Sequence, residues 1–106
     1  MAQELKTRNS SLDQDTLLTA LSDSDCRQIF ERLTEPKTAP QIVRECDIPR
    51  STVYRKLERL ADIGFLQESI VVNLHGSNPV EYRIDFSSVQ ISVDGDGSLS
   101  VSISKV

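Results

Sequence analysis

The sequence has few of the side chains from which metal sites, disulfides and catalytic centres are built. Its 106 residues include two cysteines, Cys26 and Cys46, and one histidine, His75. A zinc site needs about four soft ligands close together, and two cysteines do not make a disulfide framework. Neither a nucleophile–histidine pair nor a phosphate-cradling glycine loop is recognisable, so we predict no metal, no cofactor and no enzymatic activity. Both cysteines are interpreted as small buried residues, with a thiol or redox sensor as the alternative.

Long apolar runs are also missing from the sequence. No stretch approaches the roughly 20 apolar residues that are needed to cross a bilayer. The first residues lack the apolar core of a secretory signal, so we expect a cytoplasmic protein. A chain of 106 residues is long enough for one domain with a modest core.

The net charge of −4 would by itself argue against a nucleic-acid partner, but its distribution argues the opposite. Residues 37–59 hold six basic and three acidic side chains, whereas the segments on either side are both acidic. A local basic patch attracts phosphate because its field dominates within a Debye length of about 8–10 Å. In this acidic chain eight arginines outnumber four lysines, which raises the further hypothesis of a saline host cytosol.

Apolar residues at helical spacing predict four helices after a flexible N-terminal arm at residues 1–12. The predicted helices are Gln14–Leu21, Asp25–Leu33, Ala39–Cys46 and Pro49–Ile63. Ser24 and Thr38 are expected to cap the second and third helices. Gly64 is expected to end the fourth helix in a left-handed conformation.

After Phe65 the apolar period changes to two, which predicts strands. Leu66–Asn73 and Val80–Phe86 form a predicted hairpin, joined by turn-forming residues. A second hairpin occupies residues 88–106 around two Asp-Gly steps. Its alternating apolar residues are Val89, Ile91, Val93, Leu99, Val101 and Ile103. These apolar residues are expected to be buried in one of two ways: the hairpin extends the first sheet of the same chain, or it pairs with a second chain. We favour the second, a homodimer.

This order of elements predicts an α+β fold, a winged helix-turn-helix domain at residues 13–87 followed by the extra hairpin. In a helix-turn-helix the second helix enters the major groove. On a helical wheel of Pro49–Ile63, Val53, Leu57 and Leu60 share one face. The opposite face carries guanidinium and hydroxyl groups, from Ser51, Arg55 and Arg59. Base edges demand directional donors and phosphates demand cations, so this helix is predicted to read double-stranded DNA, with Leu66–Phe86 as the wing.

The stretch from Ser51 to Leu66 resembles the winged-helix transcription regulators of the arsenic-repressor and MarR type, especially their small archaeal relatives. In those families Ser/Thr-Val-x-Arg-x-Leu-x-x-Leu, a short gap, glycine and an apolar pair mark the recognition helix and the entry to the wing. The corresponding segment here is STVYRKLERLADIGFL. Glu81–Ile84 looks like the second wing strand, so the resemblance covers about residues 15–86. It implies a winged-helix fold and DNA binding.

Carried over by position, the resemblance implies DNA contacts from three places. The base-reading candidates are Arg50, Ser51, Thr52, Tyr54 and Arg55. The phosphate-binding candidates are Lys56 and Arg59, with Thr38 and Gln41 at the start of the preceding helix. The wing turn, with His75 and Ser77, would approach the minor groove or the DNA backbone. As alternatives, Arg55 forms only a surface ion pair with Glu58, Tyr54 packs against the body, and His75 is a solvated turn residue.

The sequence also departs from the family pattern. The third helix has no Cys-x-Cys pair and there is no histidine cluster, so metal sensing has no visible ligands, and no small-molecule effector is evident. The C-terminal helix through which many such regulators dimerise is replaced by the second hairpin. The alternative function is a winged helix that docks onto the transcription machinery without reading DNA sequence, since a fold alone does not prove a function.

Overall fold

The computed structural model describes residues 4–6, 11–76 and 78–105 of the chain, in which it has four helices and six strands. The helices are α1 (Ser11–Ser22), α2 (Ser24–Arg32), α3 (Ala39–Glu45) and α4 (Arg50–Asp62). The strands are β1 (Glu4–Lys6), β2 (Lys37–Thr38), β3 (Leu66–Ile70), β4 (Val80–Ile84), β5 (Phe86–Val93) and β6 (Leu99–Lys105). None of these helices is long and apolar enough to span a bilayer. The predicted α+β class, the wing and the C-terminal hairpin are confirmed.

The N-cap of α2 is Asp23, so the expectation that Ser24 caps this helix is wrong by one residue. Asp23 has an extended backbone, and its Oδ1 accepts a hydrogen bond from the N–H of Asp25 at 3.2 Å. Both Asp and Ser are good N-cap residues, so composition alone does not choose between adjacent positions. A carboxylate at this end also complements the positive pole of the helix dipole.

The start of α3 and the end of α4 follow local rules that the sequence carries. Thr38 caps α3 as predicted: its side chain accepts from the N–H of Gln41, and the Gln41 Oε1 accepts from the N–H of Thr38 at 2.8 Å. This reciprocal arrangement is a capping box. Gly64 follows α4 with a φ of +92°, the left-handed conformation in which a residue with a Cβ is strained.

The wing is the outer part of a three-stranded antiparallel sheet in the order β2-β4-β3. Leu66 of β3 pairs with Ile84 of β4, and the register continues to Ile70 opposite Val80. The other neighbour of β4 is the two-residue strand β2, with Thr38 opposite Glu81. Because β2 leads directly into α3, this sheet ties the wing to the helix-turn-helix.

The C-terminal hairpin belongs to a second sheet in the order β1-β6-β5. The alternative that it extends the wing sheet is therefore wrong, because β5 pairs with β6 from Phe86 onward, through a register shift between Phe86 and Ser88, and with no strand of the wing sheet. Part of the predicted arm, Glu4–Lys6, pairs with β6, and α1 begins at Ser11 within it. Strand pairing is a backbone interaction that a polar segment can make without apolar periodicity.

The hydrophobic core lies between the four helices and one face of the second sheet. Buried side chains come from all four helices, from Phe65 and Leu66, and from Val101 and Ile103 of β6. Phe30, Phe65 and Phe86 form an aromatic cluster with ring centroids 4.8–5.8 Å apart. Edge-on and tilted contacts of this kind add roughly 0.5–1.5 kcal/mol per pair beyond area burial. They join α2, the end of α4 and the start of β5.

Candidate nucleic-acid interface

The two helices α3 and α4 are joined by a short turn in the manner of a helix-turn-helix. The N–H of Cys46 donates to the carbonyl of Ile42 at 2.9 Å and closes α3. The turn is held by the N–H of Asp47, which donates to Oε1 of Gln28 at 2.8 Å, and by the buried side chain of Ile48. This turn therefore fixes the direction in which α4 leaves α3.

One face of α4 is fully buried, as the helical wheel predicts. Val53, Leu57 and Leu60 have no exposed surface. Complete burial of side chains of this size stabilises by roughly 1.5–3 kcal/mol each. The helix is consequently anchored from its first to its last turn by this buried face.

The opposite face of α4 is exposed and carries most of the predicted DNA-reading side chains. The exposed residues of this helix are Arg50, Ser51, Tyr54, Arg55, Glu58, Arg59 and Asp62. Within the described part of the chain, neither Arg55 nor Arg59 makes an ion pair, so the pairing of Arg55 with Glu58 is not seen. Both arginines are exposed, and Arg59 also borders a cleft between α4 and α1.

Arg50 and Tyr54 interact one turn apart at the start of α4. The Nη2 of Arg50 donates to the Tyr54 hydroxyl at 3.3 Å, and the guanidinium carbon lies 5.2 Å from the centre of the ring. A cation over an aromatic face gains about 0.5–1 kcal/mol at an exposed site. Tyr54 is 37% exposed, so its ring contacts the arginine at the surface while the rest of the side chain is covered by its own chain.

Lys56 lies on the flank of α4 and points toward the helical body. Its ammonium group forms an ion pair with Oδ2 of Asp23, the N-cap of α2. The two side chains are only 19% and 26% exposed. The predicted phosphate ligand is therefore already engaged by a carboxylate of its own chain.

Asp23 also accepts a hydrogen bond from a cysteine. The Sγ of Cys26 donates to Oδ2 of Asp23 at 3.3 Å. The hydrogen bond from Lys56 lowers the pKa of Asp23. Burial, followed by the adjacent carboxylate, raises the pKa of Cys26 to about 11, and burial raises the pKa of Cys46 as well. Both thiols are thus protonated at neutral pH, which gives little support to reactive cysteines.

Three further predicted contacts lie at the start of α3 and beside the base of the wing. Thr38 and Gln41 are half-buried, and the Gln41 Oε1 accepts from both the N–H and the hydroxyl of Thr38. Thr52 is half-buried on the flank of α4. Thr38 and Tyr54 line one cavity of about 360 Å³ together with Tyr82 of β4. Thr38, Tyr54 and Tyr82 are thus brought together at the junction of α3, α4 and the wing, whereas Thr52 does not line this cavity.

The outer part of the wing, residues 66–82, carries no lysine or arginine. His75 is exposed in the loop, where its N–H donates to Oδ1 of Asn73 at 3.0 Å, and Ser77 lies outside the described residues. Residues 66–82 include two acidic side chains, Glu68 and Glu81. The loop exposes aliphatic side chains, with Leu74 90% exposed. The only other exposed large aliphatic residues in this segment of the described chain are Ile70, Val71 and Val72.

Two residues near α4 were missed by the sequence analysis. Asp23 contacts Lys56 although it lies 33 positions earlier in the chain. Lys105, at the end of β6, donates to the carbonyl of Gly64 at 2.7 Å and to Oδ2 of Asp85 at 3.1 Å. The sequence offered two signals for these contacts: Asp23 is an acidic residue at a helix start, and Lys105 is a lone lysine in an apolar strand. Neither signal identifies the partner residue.

Among the described residues, no group of three or more histidine, cysteine, aspartate or glutamate side chains is placed to hold a metal ion. The exposed cations of α4 and the absence of a metal cluster in this part of the chain leave the surface of the helix-turn-helix as the candidate site. Its exposed arginines are groups that can contact anions, although Glu58 and Asp62 lie on the same helix surface.

Comparisons with known proteins agree with this geometry. Residues 21–68, which contain α2, α3 and α4, match the model of a family described as a helix-turn-helix domain. No match was found among curated proteins. The chain shares the winged helix-turn-helix fold of solved ArsR-type regulators.

Three solved structures share this fold. An ArsR-like transcriptional regulator from Rhodococcus sp. RHA1 matches with a TM-score of 0.56 and 19% identity over 69% of this chain and 63% of the other. A transcriptional regulator of the ArsR family matches with a TM-score of 0.57 and 17% identity, over 73% of this chain and 75% of the other. A possible transcriptional regulator from Methanosarcina mazei Go1 matches with a TM-score of 0.52 and 18% identity, over 79% of this chain and 73% of the other. The chain thus spans about 63% of the length of the Rhodococcus regulator.

Proposed function

We propose that this protein is a sequence-specific regulator that binds double-stranded DNA through α4 in the major groove. The observation that carries the proposal is the division of α4 into a fully buried face and an exposed face on which Arg55 and Arg59 form no ion pair with any described residue. Directional donors on a rigid element suit the reading of base edges, and cations suit the contact with phosphate. The acidic flanks of the chain do not oppose this, because screening confines their field to about 8–10 Å.

Within this proposal the N-terminal half of α4 reads bases. Arg55 is exposed at the centre of the surface, and a bidentate contact from arginine to guanine gives roughly 1–3 kcal/mol of discrimination. Arg50 is oriented by the ring of Tyr54, which reduces the entropy that an arginine loses on binding. Ser51 and Thr52 offer hydroxyl groups beside them, and Arg59 is placed one turn further on for a phosphate.

The test is selection of binding sites from random duplex DNA, with Arg55→Ala in parallel. The expected result is an enriched sequence motif in the wild type. In the Arg55→Ala variant, the base preference should be weaker at one or two positions of that motif. Arg32→Ala is the matched control, since Arg32 is an exposed arginine on α2. No enriched motif with the wild type, or an enrichment that Arg55→Ala leaves unchanged, would contradict the proposed reading helix.

We further propose that the protein acts as a homodimer through the hairpin β5–β6. Ile91, Val93 and Leu99 project from the same side of the hairpin as the buried Val101, but beyond the reach of the helices, and Val93 is 67% exposed. In the described residues β5 pairs on one side only, so it also offers an unpaired strand edge. A two-fold dimer would double the length of the recognised DNA site.

The oligomeric state tests this second proposal. Sedimentation of the wild type should give a dimer, and Val93→Asp should shift the protein to the monomer while its circular dichroism spectrum is preserved. The matched control is Val72→Asp, which places the same charge on an aliphatic side chain of the wing. A monomeric wild type, or a dimer that survives Val93→Asp, would argue against the hairpin as the interface.

A second candidate function is a protein-interaction module that docks onto the transcription machinery. The observation in its favour is the outer part of the wing, residues 66–82, which contains no lysine or arginine and exposes Ile70, Val72 and Leu74. A contiguous exposed apolar patch often marks a protein-binding surface. Failure of the selection experiment, combined with loss of transcription control by Leu74→Asp, would favour this function over DNA reading.

A further inference from the structure

Lys56, the only lysine of α4, has a different environment from the arginines Arg55 and Arg59 of the same helix. Lys56 is half-buried and its ammonium group is paired with Asp23, whereas both arginines are exposed. Lys56 and Arg59 both line a cleft of about 380 Å³ against Thr16 and Thr19 of α1, but of the two only Lys56 is half-buried and forms an ion pair with a described residue. The side chain therefore points toward α1 and α2, on the flank of α4 that faces the body of the protein.

The partner of Lys56 is itself fixed in place. Asp23 accepts from the N–H of Asp25 through Oδ1 and from the thiol of Cys26 through Oδ2. A carboxylate held by two donors on α2 cannot follow a lysine that swings out toward DNA. A half-buried charge that loses its partner is left poorly solvated, which costs more than the net gain of an exposed pair.

We infer that Lys56 is a positioning residue, which holds α4 against the N-terminus of α2 through Asp23, and that it contacts no phosphate. This inference rests on the proposed DNA binding by α4. In consequence the phosphate contacts of the helix come from its exposed arginines. Loss of the Asp23–Lys56 pair weakens DNA binding because the binding-competent placement of α4 is populated less often.

The salt dependence of DNA binding separates positioning from phosphate contact. The logarithm of the binding constant falls against the logarithm of salt concentration with a slope of about −0.9 per phosphate neutralised. With the selected duplex, Lys56→Met should weaken binding about threefold to tenfold and leave the slope unchanged. Arg59→Met is the matched control that removes an exposed cation of the same helix, and it should reduce the slope by about 0.9.

The variant Asp23→Asn gives an independent readout. Asparagine is as good an N-cap as aspartate, so α2 keeps its cap while the ion pair is lost. A positioning role predicts weaker binding in this variant, and a double variant with Lys56→Met that is no weaker than either single variant. If Lys56 instead reached phosphate, its release by Asp23→Asn would tighten binding and steepen the slope.

The failures of the two proposals are distinguishable. A wild-type protein that binds no duplex at any salt concentration overturns the proposed function and this inference together. A wild type that binds, with a slope reduced by about 0.9 in Lys56→Met, overturns the inference alone. Thermal unfolding of each variant confirms that binding is measured on folded protein. Non-additive melting temperatures in the double variant support the pair, whereas additive ones count against it.

Discussion

Lys105 joins the end of α4 to the last strand, and its removal is a sharp test of the fold. Lys105 donates to the Gly64 carbonyl at 2.7 Å and to the Asp85 carboxylate at 3.1 Å. The side chains of Lys105 and Asp85 are 20% and 27% exposed, so this pair is more shielded than a surface ion pair. Lys105→Met keeps the aliphatic stem and deletes only the charged donor.

The size of the effect follows from these two contacts. An exposed ion pair contributes about 0–1 kcal/mol, whereas hydrogen bonds to charged groups contribute about 1.5–3 kcal/mol when they are shielded. The position of Lys105 beyond the C-terminus of α4 adds a favourable interaction with the helix dipole. We expect a loss of about 1.5–2 kcal/mol in the free energy of unfolding. For a domain of this size, that corresponds to a fall of about 6–16 °C in melting temperature.

The assay is urea and thermal denaturation followed by circular dichroism at one fixed protein concentration, because oligomerisation makes the melting temperature depend on concentration. Arg83→Met is the matched control, since Arg83 is a cation on a strand whose hydrogen bond to Gln67 is exposed. The control should change stability by less than about 0.5 kcal/mol. If Lys105→Met reduced the free energy of unfolding no more than Arg83→Met does, shielding would not strengthen the contacts of Lys105.

Three further predictions concern the ends of α4 and the Asp23 network. Gly64→Ala should cost about 1–2 kcal/mol, because φ at this position is +92°, whereas Gly76→Ala, which meets open space, should be nearly neutral in the same denaturation assay. Since the pKa of Cys26 is raised to about 11, folding is stabilised below pH 9 and loses that contribution between pH 9 and 11. Cys26→Ala should flatten this decline, and an unchanged pH profile would contradict the assignment. The pKa of Asp23 is lowered, so its contribution is present above about pH 4 and lost as the pH falls below it. Asp23→Asn should therefore unfold less steeply in acid than the wild type, and equal slopes would argue against the ion pair.

Features that depend on neighbouring residues were predictable from the sequence. The capping box joins residues three positions apart, and the left-handed glycine follows directly after the last turn of α4. The buried face of α4 follows from the helical period alone. The C-terminal hairpin was signalled by its Asp-Gly turn, in which the N–H of Gly97 donates to the carbonyl of Asp94 at 2.9 Å.

Features that depend on distant residues were not predictable. The strand β2 has only two residues, and it exists because Lys37 and Thr38 lie beside Tyr82 and Glu81. A segment of this length has no period that a sequence pattern could reveal. The helical wheel placed Lys56 on the flank of α4, but whether a flank faces DNA or the body depends on where Asp23 lies. Long-range contacts of this kind require the three-dimensional packing.

The short connection between the two sheets has a consequence for the DNA that a dimer can accept. β4 ends at Ile84 and β5 begins at Phe86, so Asp85 alone forms the joint. Its N–H donates to the Phe65 carbonyl at 3.0 Å, and its carboxylate accepts from Lys105. A connection of one residue, hydrogen-bonded through both its backbone and its side chain, permits little rotation of one sheet relative to the other. In a dimer built on the hairpin, the two reading helices would keep one separation, and operators would tolerate a single half-site spacing, about 34–36 Å or a multiple of it.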